Sequence, residues 1–324
     1  MPTMGRYLFK RIIALLIVLF GISVIVFAVI NLQPGNPYAT MFSPQADAVM
    51  REELLHKVGY YDPLWIKYVK WVVRTVHGDF GYSIQMGVPV STVIESRLGN
   101  TLLLTISAAV LAFLIALSAG IYCAVHRGQV SDRIITVVTF GIMSIPAFFL
   151  AMILIRFFSV QLHLLPSSGI ITPELDGDGI QVTIDVIRHL IMPTLVLAAL
   201  NFATYTRYIR SSTSELLDAE FVRSLFARGL SRRAVIQKHV LKNAAKPIIT
   251  VLALSIPTLL SGALITETVF TWPGIGRLSY DAAIGRDYPL LMGITLLLAV
   301  VTLLSNFVAD VLNAIIDPRI RIQK

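Results

Sequence analysis

Long apolar segments, separated by short basic ones, constrain this chain more than any other feature. About six such segments are present, and they cover residues 12–30, 101–125, 134–158, 190–205, 248–270 and 290–312. A helix needs roughly 20 mostly apolar residues to cross a bilayer, and lipid forces its backbone polar groups to pair within the helix. The sequence therefore predicts an all-α membrane protein with six transmembrane helices.

The composition favours the same class of protein. The chain has 324 residues, of which 56% are hydrophobic and only 14% are charged, whereas a soluble domain has about 25% charged residues. The net charge of +8 comes from basic residues gathered between apolar segments, which indicates orientation in a bilayer rather than nucleic-acid binding. Cys123 is the single cysteine, so a disulfide or a cysteine-based metal site within one chain is excluded.

The positions of lysine and arginine predict which ends of the segments face the cytoplasm. Short basic stretches precede the first segment, separate the second from the third and the fourth from the fifth, and follow the sixth. All of them fall on one side when the number of spans is even, and basic short loops mark the cytoplasmic side. The connection between the third and fourth segments is acidic, with Asp176, Asp178 and Asp185. We therefore expect both termini in the cytoplasm.

The same pattern divides the chain into regions. Residues 1–30 form the cytoplasmic N-terminus and first span, 31–99 an external loop, 100–312 the membrane core with a cytoplasmic loop at 207–247, and 313–324 a cytoplasmic tail. The external loop has a partial apolar stripe at helical spacing, and Pro63 is placed to start its second helix. We expect this loop to fold as a small helical cap on the external face.

A charged, helix-patterned stretch, EFVRSLFARGLSRR at residues 220–233, interrupts the apolar sequence. The apolar residues of its first half share one helical face: Phe221, Val222, Leu225 and Phe226. Gly229 is placed to end this helix and Ser231 to cap another, so the pattern predicts two short amphipathic helices around a glycine turn. Such a helix can lie on lipid, pack on its own protein or fill a groove on a partner, and periodicity leaves these open.

A longer stretch, residues 220–247, resembles the cytoplasmic loop signature of ABC import permeases, in particular of the dipeptide, oligopeptide and nickel branch. The matching positions are Phe221, Arg223, Ala227, Arg228, Gly229, Leu230, Ser231, Lys238, His239, Asn243, Ala244 and Pro247. Leu225 and Phe226 depart from the branch, which has small and basic residues there. Segments at 266–278, 285–293 and 306–321 resemble further motifs of the branch in the same order, so the resemblance covers nearly the whole chain.

The resemblance implies the type I ABC importer permease fold, with a coupling helix that docks into a separate ATPase subunit. The implied docking residues are Glu220, Phe221, Val222, Arg223, Leu225, Phe226, Ala227, Arg228, Gly229, Leu230 and Ser231. The implied partners are a second homologous permease, two ATPase subunits, an external binding protein and the lipid bilayer, with no nucleic acid. ATP and Mg²⁺ belong to the ATPase subunits, and this chain holds no cofactor, metal or catalytic residue. The implied location is the bacterial inner membrane.

Polar residues within the spans are candidates for a substrate pathway or gate. They are Ser144, Asn201, Ser255, Thr258 and Ser261, together with Glu267 and Trp272 near an external turn. The serine, threonine and asparagine side chains could equally hold helices together, and Glu267 and Trp272 could be structural residues of a helix end and a turn. Prolines at 146, 193 and 257 are expected to interrupt the third, fourth and fifth spans, which is useful in a transporter and also common in membrane helices.

Other sources of energy and other classes of protein fit the sequence less well. The chain has no G-x-x-x-x-G-K-[ST] phosphate loop, so it lacks its own motor. A gradient-driven carrier usually places ionisable residues near the bilayer midplane, but Arg156, Glu267 and Asp310 all lie near span ends. An intramembrane enzyme is disfavoured because no H-E-x-x-H motif or nucleophile–base pair is present. The sequence therefore predicts ATP-driven import of di- or oligopeptides, with nickel or another small solute as the alternative.

Overall fold

The computed structural model describes residues 4–32, 47–57, 59–173, 175 and 178–316. Helices make up most of this part of the chain, and no β-strand occurs in it. The helices are α1 Met4–Asn31, α2 Ala48–Lys57, α3 Leu64–Val76, α4 Val90–Val125, α5 Val130–Ser144, α6 Ala147–Leu154, α7 Gly179–Leu217, α8 Glu220–Ala227, α9 Arg232–Ala234, α10 Leu241–Val269, α11 Ile275–Ile284 and α12 Tyr288–Ile316. Two π-helical turns, Ile155–Gln161 and Val235–Val240, follow α6 and α9. The motif expected at 317–321 and most of the tail lie outside the described residues.

The spans predicted from hydropathy are present, and one of them is broken. Within the described residues, five helices are long and apolar enough to cross a membrane: α1, α4, α7, α9 continued into α10, and α12. The pair α5–α6 makes a sixth span if its two halves, which meet at 99°, are counted together. Pro146 lies at this break, because proline disfavours the helical conformation of the residue before it. Helices α7 and α10 both continue through Pro193 and Pro257, so neither proline breaks its helix as Pro146 does. The bends expected at these two prolines stay a prediction.

Several boundaries differ from the prediction because helices extend beyond their apolar cores. Helix α4 begins at Val90 rather than at residue 100, so residues 90–99 are already helical. Helix α7 has 39 residues. Its start is capped by Asp178, whose side chain accepts a hydrogen bond from the Gln181 N–H at 3.0 Å. The second amphipathic helix after Gly229 is not a separate short element, because α9 runs through the π-turn into α10.

Helices α4 and α7 form the centre of the bundle. Small residues recur every fourth position along α4 and are buried there: Ala108, Ala112, Ala116 and Gly120. A Cβ atom at Gly120 would lie 2.7 Å from the Ile209 side chain of α7, so the two backbones approach as closely as small residues permit. Because the two helices pair in this way, the C-terminus of α4 lies beside the C-terminal part of α7 at one end of the bundle.

We call this end the basic end; it contains the start of α1, residues 126–133, residues 218–240 and the C-terminal part of α12. Basic residues gather there: Arg6, Lys10, Arg11, Arg127, Arg133, Arg207, Arg210, Arg223, Arg228, Arg232, Arg233 and Lys238. Arg11 of α1 forms an ion pair with Asp310 of α12 at this end. The start of α12 lies at the opposite end, where Leu290 and Ile294 pack with Val90 and Val93 of α4.

Candidate docking site at the basic end

Helix α8 is a short helix with a fully formed C-terminal cap. Gly229 has φ +82°, a left-handed conformation that glycine adopts without steric cost. Its N–H donates to the Phe226 carbonyl at 2.9 Å, and the Leu230 N–H donates to the Leu225 carbonyl at 3.3 Å. This pair of bonds is the Schellman arrangement, and it satisfies carbonyls at the helix end. The predicted glycine turn is therefore confirmed.

The chain turns back after Gly229 and starts α9 at a second predicted cap. The Ser231 hydroxyl accepts a hydrogen bond from the Ala234 N–H at 3.4 Å, as expected for a residue that precedes a helix. Two caps separated by one glycine turn fix α8 against the chain that follows it. Residues 220–240 therefore form a compact knob at the basic end of the bundle.

The single apolar face predicted for α8 is divided into a buried centre and exposed edges. Val222 is 0% exposed and packs with Val235 and Val240 of the π-turn. Phe221 and Phe226 remain 37% and 43% exposed. At about 100° per residue the four apolar side chains spread over roughly 140°, and the returning chain covers only the middle of that arc. Val222 therefore packs inside this segment, and its assignment to the docking site stays a prediction.

The exposed surface of the knob keeps most of the other predicted docking residues. Leu225 and Leu230 are half-buried against its small core. The side chains or backbone exposed at its surface are those of Glu220, Phe221, Arg223, Phe226, Ala227, Arg228, Gly229 and Ser231. This surface combines two aromatic rings with arginines, and aromatic and arginine side chains are enriched at protein interfaces.

The knob is attached to the adjacent helix ends by polar contacts at both of its sides. Before α8, Asp218 pairs with Arg127, with Nη1 and Oδ2 3.0 Å apart. After α8, the Arg232 guanidinium donates to the Val125 carbonyl, the last residue of α4, at 2.8 Å. The knob therefore contacts the end of α4 directly through Arg232, and the Asp218–Arg127 pair joins the connection before α8 to the connection after α4.

A buried ion pair joins α5 to α7 next to these contacts. Asp132 is 2% exposed and accepts from Arg210 Nε at 2.7 Å and Nη2 at 2.9 Å. Its carboxylate also accepts from the Gly128 N–H at 2.9 Å. Two-pronged pairing of this kind fixes geometry as well as charge. Sequence reasoning used Arg210 only for orientation and missed Asp132, although an aspartate within the short basic stretch HRGQVSDR was a usable signal.

At the opposite end, the gate candidates Glu267 and Trp272 are fully buried in a junction of α4, α10 and α11. Glu267 accepts from the Thr101 hydroxyl at 2.7 Å and from the Arg277 N–H at 3.0 Å, so it holds the first turn of α11. Trp272 donates from Nε1 to the Asn100 carbonyl at 3.0 Å. These contacts favour the structural interpretation of both residues, and a gating role stays a prediction.

The remaining pathway candidates do not converge on one described site. Ser144 is exposed and donates to the Phe140 carbonyl. Asn201 is half-buried and donates to the Leu197 carbonyl. Ser255 lies 2.7 Å from the Tyr205 hydroxyl and so joins α10 to α7, which fits the role of holding helices together. The side chains of Thr258 and Ser261 are not among those that the structure describes.

Comparison with known proteins decides the family. The family described as "Binding-protein-dependent transport system inner membrane component" matches residues 116–322, and its N-terminal counterpart matches residues 4–105. This chain belongs to that family. The permease is 38% identical over 318 residues to the "Oligopeptide transport system permease protein AppB" of Bacillus subtilis (strain 168), covering 98% of this chain and 99% of the relative. It is 37% identical, with the same coverage, to the "Glutathione transport system permease protein GsiC" of Escherichia coli (strain K12).

A solved structure supports the fold. The permease matches a chain of the inward-facing "MetNI methionine ABC transporter" with a TM-score of 0.56 at 18% identity, covering 69% of this chain and 96% of that chain. The predicted type I ABC importer permease fold is therefore confirmed. A permease of this family is an integral membrane component with several apolar helices, as α1, α4, α7, α10 and α12 are here.

Proposed function

We propose that this permease is one of two membrane subunits of an ATP-driven importer of di- or oligopeptides. The two full-length relatives support the substrate class, because one is named for oligopeptides and the other for glutathione, which is itself a small peptide. A second permease, two ATPase subunits and an external binding protein complete the proposed assembly. The binding protein delivers the peptide at the end of the bundle opposite to the basic end.

The basic end faces the cytoplasm in this proposal, together with both termini. Its concentration of arginine and lysine supports this orientation, since basic short loops are retained on the cytoplasmic side. The acidic stretch that contains Asp178 and Asp185 then lies outside. Import requires this arrangement, because ATP is available only in the cytoplasm.

The knob is the proposed docking site for an ATPase subunit, and the exposure of Phe221 and Phe226 is the observation that carries the proposal. Burying a phenylalanine side chain stabilises a complex by up to about 1.5–3 kcal/mol, and both rings lie on a small helix that presents them away from its own core. An amphipathic helix seated in a partner groove is a recurring recognition mode. The arginines beside the rings add charge that an acidic groove would match.

The contacts of the knob supply a route for mechanical force. When the ATPase subunits bind ATP and close, α8 moves with its groove. Arg232 passes that movement to the end of α4 and Asp218 passes it to Arg127 in the connection that follows, and the Asp132–Arg210 pair links α5 to α7 beside them. ATP and Mg²⁺ remain on the ATPase subunits. This chain makes and breaks no covalent bond: it opens outward on ATP binding and returns inward after hydrolysis.

A gradient-driven carrier is the competing function, and the described ionisable groups argue against it. Asp132, Glu267 and Asp310 are each held by hydrogen bonds or an ion pair from a neighbouring helix. Groups fixed in this way tie helices together, whereas a coupling site must exchange protons or ions during each cycle. Nickel or another small solute remains the alternative cargo on the same architecture.

Uptake by the assembled transporter in proteoliposomes tests the proposal. The double variant Phe221→Asp/Phe226→Asp is expected to lower ATP-dependent peptide uptake at least tenfold and to release ATPase subunits from the purified complex. Membrane insertion should not change, because both rings are exposed in the isolated chain. Ser224→Asp is the matched control, since it adds charge to the same helix at an exposed position outside the proposed contact.

Two results would contradict the proposal. Unchanged uptake and unchanged ATPase recovery in the double variant would show that the knob is not the docking site. Uptake of Ni²⁺ instead of a labelled tripeptide by the unmodified complex would keep the docking site and replace the cargo.

A further inference from the structure

Helix α3, predicted as part of an external cap, packs along the side of the first span. The Tyr68 hydroxyl lies 2.8 Å from the Ser23 hydroxyl of α1. The Tyr68 ring is also in edge contact with Phe20 and Phe27, with ring centres 6.4 Å and 5.3 Å apart. Trp71 adds a contact with Phe27 at 5.7 Å. One side of α3 is therefore committed to α1.

The level of these contacts places α3 at the depth of the hydrocarbon layer. Ser23 precedes the end of α1 at Asn31 by eight residues, which is about 12 Å along a helix that rises roughly 1.5 Å per residue. The α1 residues around it are apolar and unbroken by charge from Ile12 to Ile30. A cap that stood wholly in water could not reach this part of a spanning helix.

Two further sides of α3 have distinct chemistry. At about 100° per residue, Trp65, Val69, Val73 and Val76 form an apolar side, and they are 70%, 54%, 54% and 79% exposed. Lys67, Lys70 and Arg74 form a third, basic side. Helix α3 thus presents an α1-facing side, an apolar side and a basic side in turn around its axis.

Helix α1 also exposes apolar side chains at the level of α3. Ile25 and Val29, on the same stretch of α1 as the Tyr68 contacts, are 63% and 57% exposed. The basic side is held close to the connection before α3, since Lys70 pairs with Asp62 at 2.6 Å and Lys67 lies over the Tyr60 ring at 5.1 Å. Long basic side chains of this kind extend from apolar surface to a polar boundary.

We propose that α3 is an interfacial helix embedded in one leaflet of the bilayer, where its apolar side contacts phospholipid acyl chains and its basic side contacts their phosphates. An amphipathic helix with tryptophan on its apolar side and lysine on its polar side is typical of this position. The identity of the leaflet, the outer one, rests on the orientation given under the proposed function. The lipid contact itself does not depend on that function.

Fluorescence quenching of Trp65 tests the proposal with little redesign. The chain has three tryptophans, and Trp272 is fully buried. The emission of Trp65 is obtained as a difference, namely the fluorescence of the Trp71→Phe variant minus that of the Trp65→Phe/Trp71→Phe variant. The full chain is reconstituted in phosphatidylglycerol–phosphatidylcholine vesicles, alone and as the assembled transporter, with acyl chains brominated or not. We expect brominated lipid to quench Trp65 at least twofold, and aqueous iodide to quench it little.

Thiol labelling gives an independent measurement on the same surface. Cys123 is buried, so a cysteine introduced on α3 is the accessible thiol of this chain. Val69→Cys should resist a membrane-impermeant maleimide, whereas Met86→Cys, exposed in the connection between α3 and α4, should react at least tenfold faster. Both variants should retain peptide uptake, because neither residue lies in the knob.

Three outcomes would overturn the proposal. Iodide quenching of Trp65 without bromolipid quenching would place α3 in water, as a cap. Bromolipid quenching of the chain alone that disappears in the assembled transporter would assign the apolar side to a protein partner. Bromolipid quenching of Trp65 that is unaffected by Lys67→Gln/Arg74→Gln would remove the phosphate contact. None of these results bears on docking of the ATPase at α8.

Discussion

The knob at the basic end and the junction at the opposite end are built from the same kinds of residue for opposite purposes. In the knob, Phe221 and Phe226 are exposed, and Gly229 permits a left-handed turn that leaves open space around it. In the junction, Trp272 is fully buried, and a Cβ atom at Gly276 would lie 2.5 Å from the Leu264 Cα. Aromatic residues beside glycine therefore form an exposed surface in one place and tight packing in the other.

The Asp132–Arg210 pair departs from this difference between the two ends, and breaking it gives the largest expected effect on stability. Beside the knob, Asp132 is as buried as the junction residues are. Arg210→Gln should lower the free energy of unfolding by about 3 kcal/mol, because it leaves the buried Asp132 carboxylate without its partner. This value is the lower end of the range for a broken buried pair, since the Arg210 side chain is itself 34% exposed. The change is followed by heating the purified permease and measuring the fraction that stays monodisperse on size-exclusion chromatography.

The exposed pair next to it provides the control for that measurement. Arg127→Gln breaks the Arg127–Asp218 contact, in which both side chains are well exposed. Surface pairs of this kind contribute about 0–1 kcal/mol. Equal destabilisation by Arg127→Gln and Arg210→Gln would contradict the distinction between a buried anchor and an exposed one.

A second prediction concerns close packing in the junction. Gly276→Ala should cost about 1–3 kcal/mol, since the new methyl group meets backbone atoms of α10 that have no room to move. Gly21→Ala in α1 is the matched control, because no atom lies within 4 Å of its added Cβ. Heating in the presence of a fluorogenic maleimide reports unfolding through the buried thiol of Cys123. A lower unfolding temperature for Gly21→Ala than for Gly276→Ala would refute this account of the junction.

The smallest predicted effect separates core from surface within α8 itself. Val222→Ala should destabilise the permease by about 1–2 kcal/mol, because it removes fully buried methyl groups. Phe221→Ala, one residue away, should change stability by less than about 0.5 kcal/mol, as is usual for surface positions. The same Cys123 assay compares them. If Phe221→Ala proved the more destabilising, Phe221 would be a packing residue of the knob and not a docking residue.

The sequence predicted the parts of the fold that follow from local pattern. Hydropathy located the spans, and the spacing of Gly229 and Ser231 located both caps of the knob. It did not reveal the length of α7, because a helix can continue on polar residues once Asp178 has capped its start. It also did not show that Val222 is buried, since periodicity indicates which residues share a face but not what covers that face.

Long-range partners explain the remaining differences. Glu267 meets Thr101 across 166 positions of sequence, and Tyr68 meets Ser23 across 45. No local pattern encodes either contact. Residue type alone therefore left Glu267 open between a gate and a helix end, and it did not reveal that α3 packs on α1.

The seam of small residues between α4 and α7 has a consequence for motion. Backbones in such close contact resist sliding, so the two helices are expected to tilt as one lever about 58 Å long, given the 39 residues of α7. A push on the knob would then swing the far tip of this lever instead of being absorbed along it. We expect the pivot to lie elsewhere, at the break between α5 and α6 beside Pro146, where those two helices already meet at 99°.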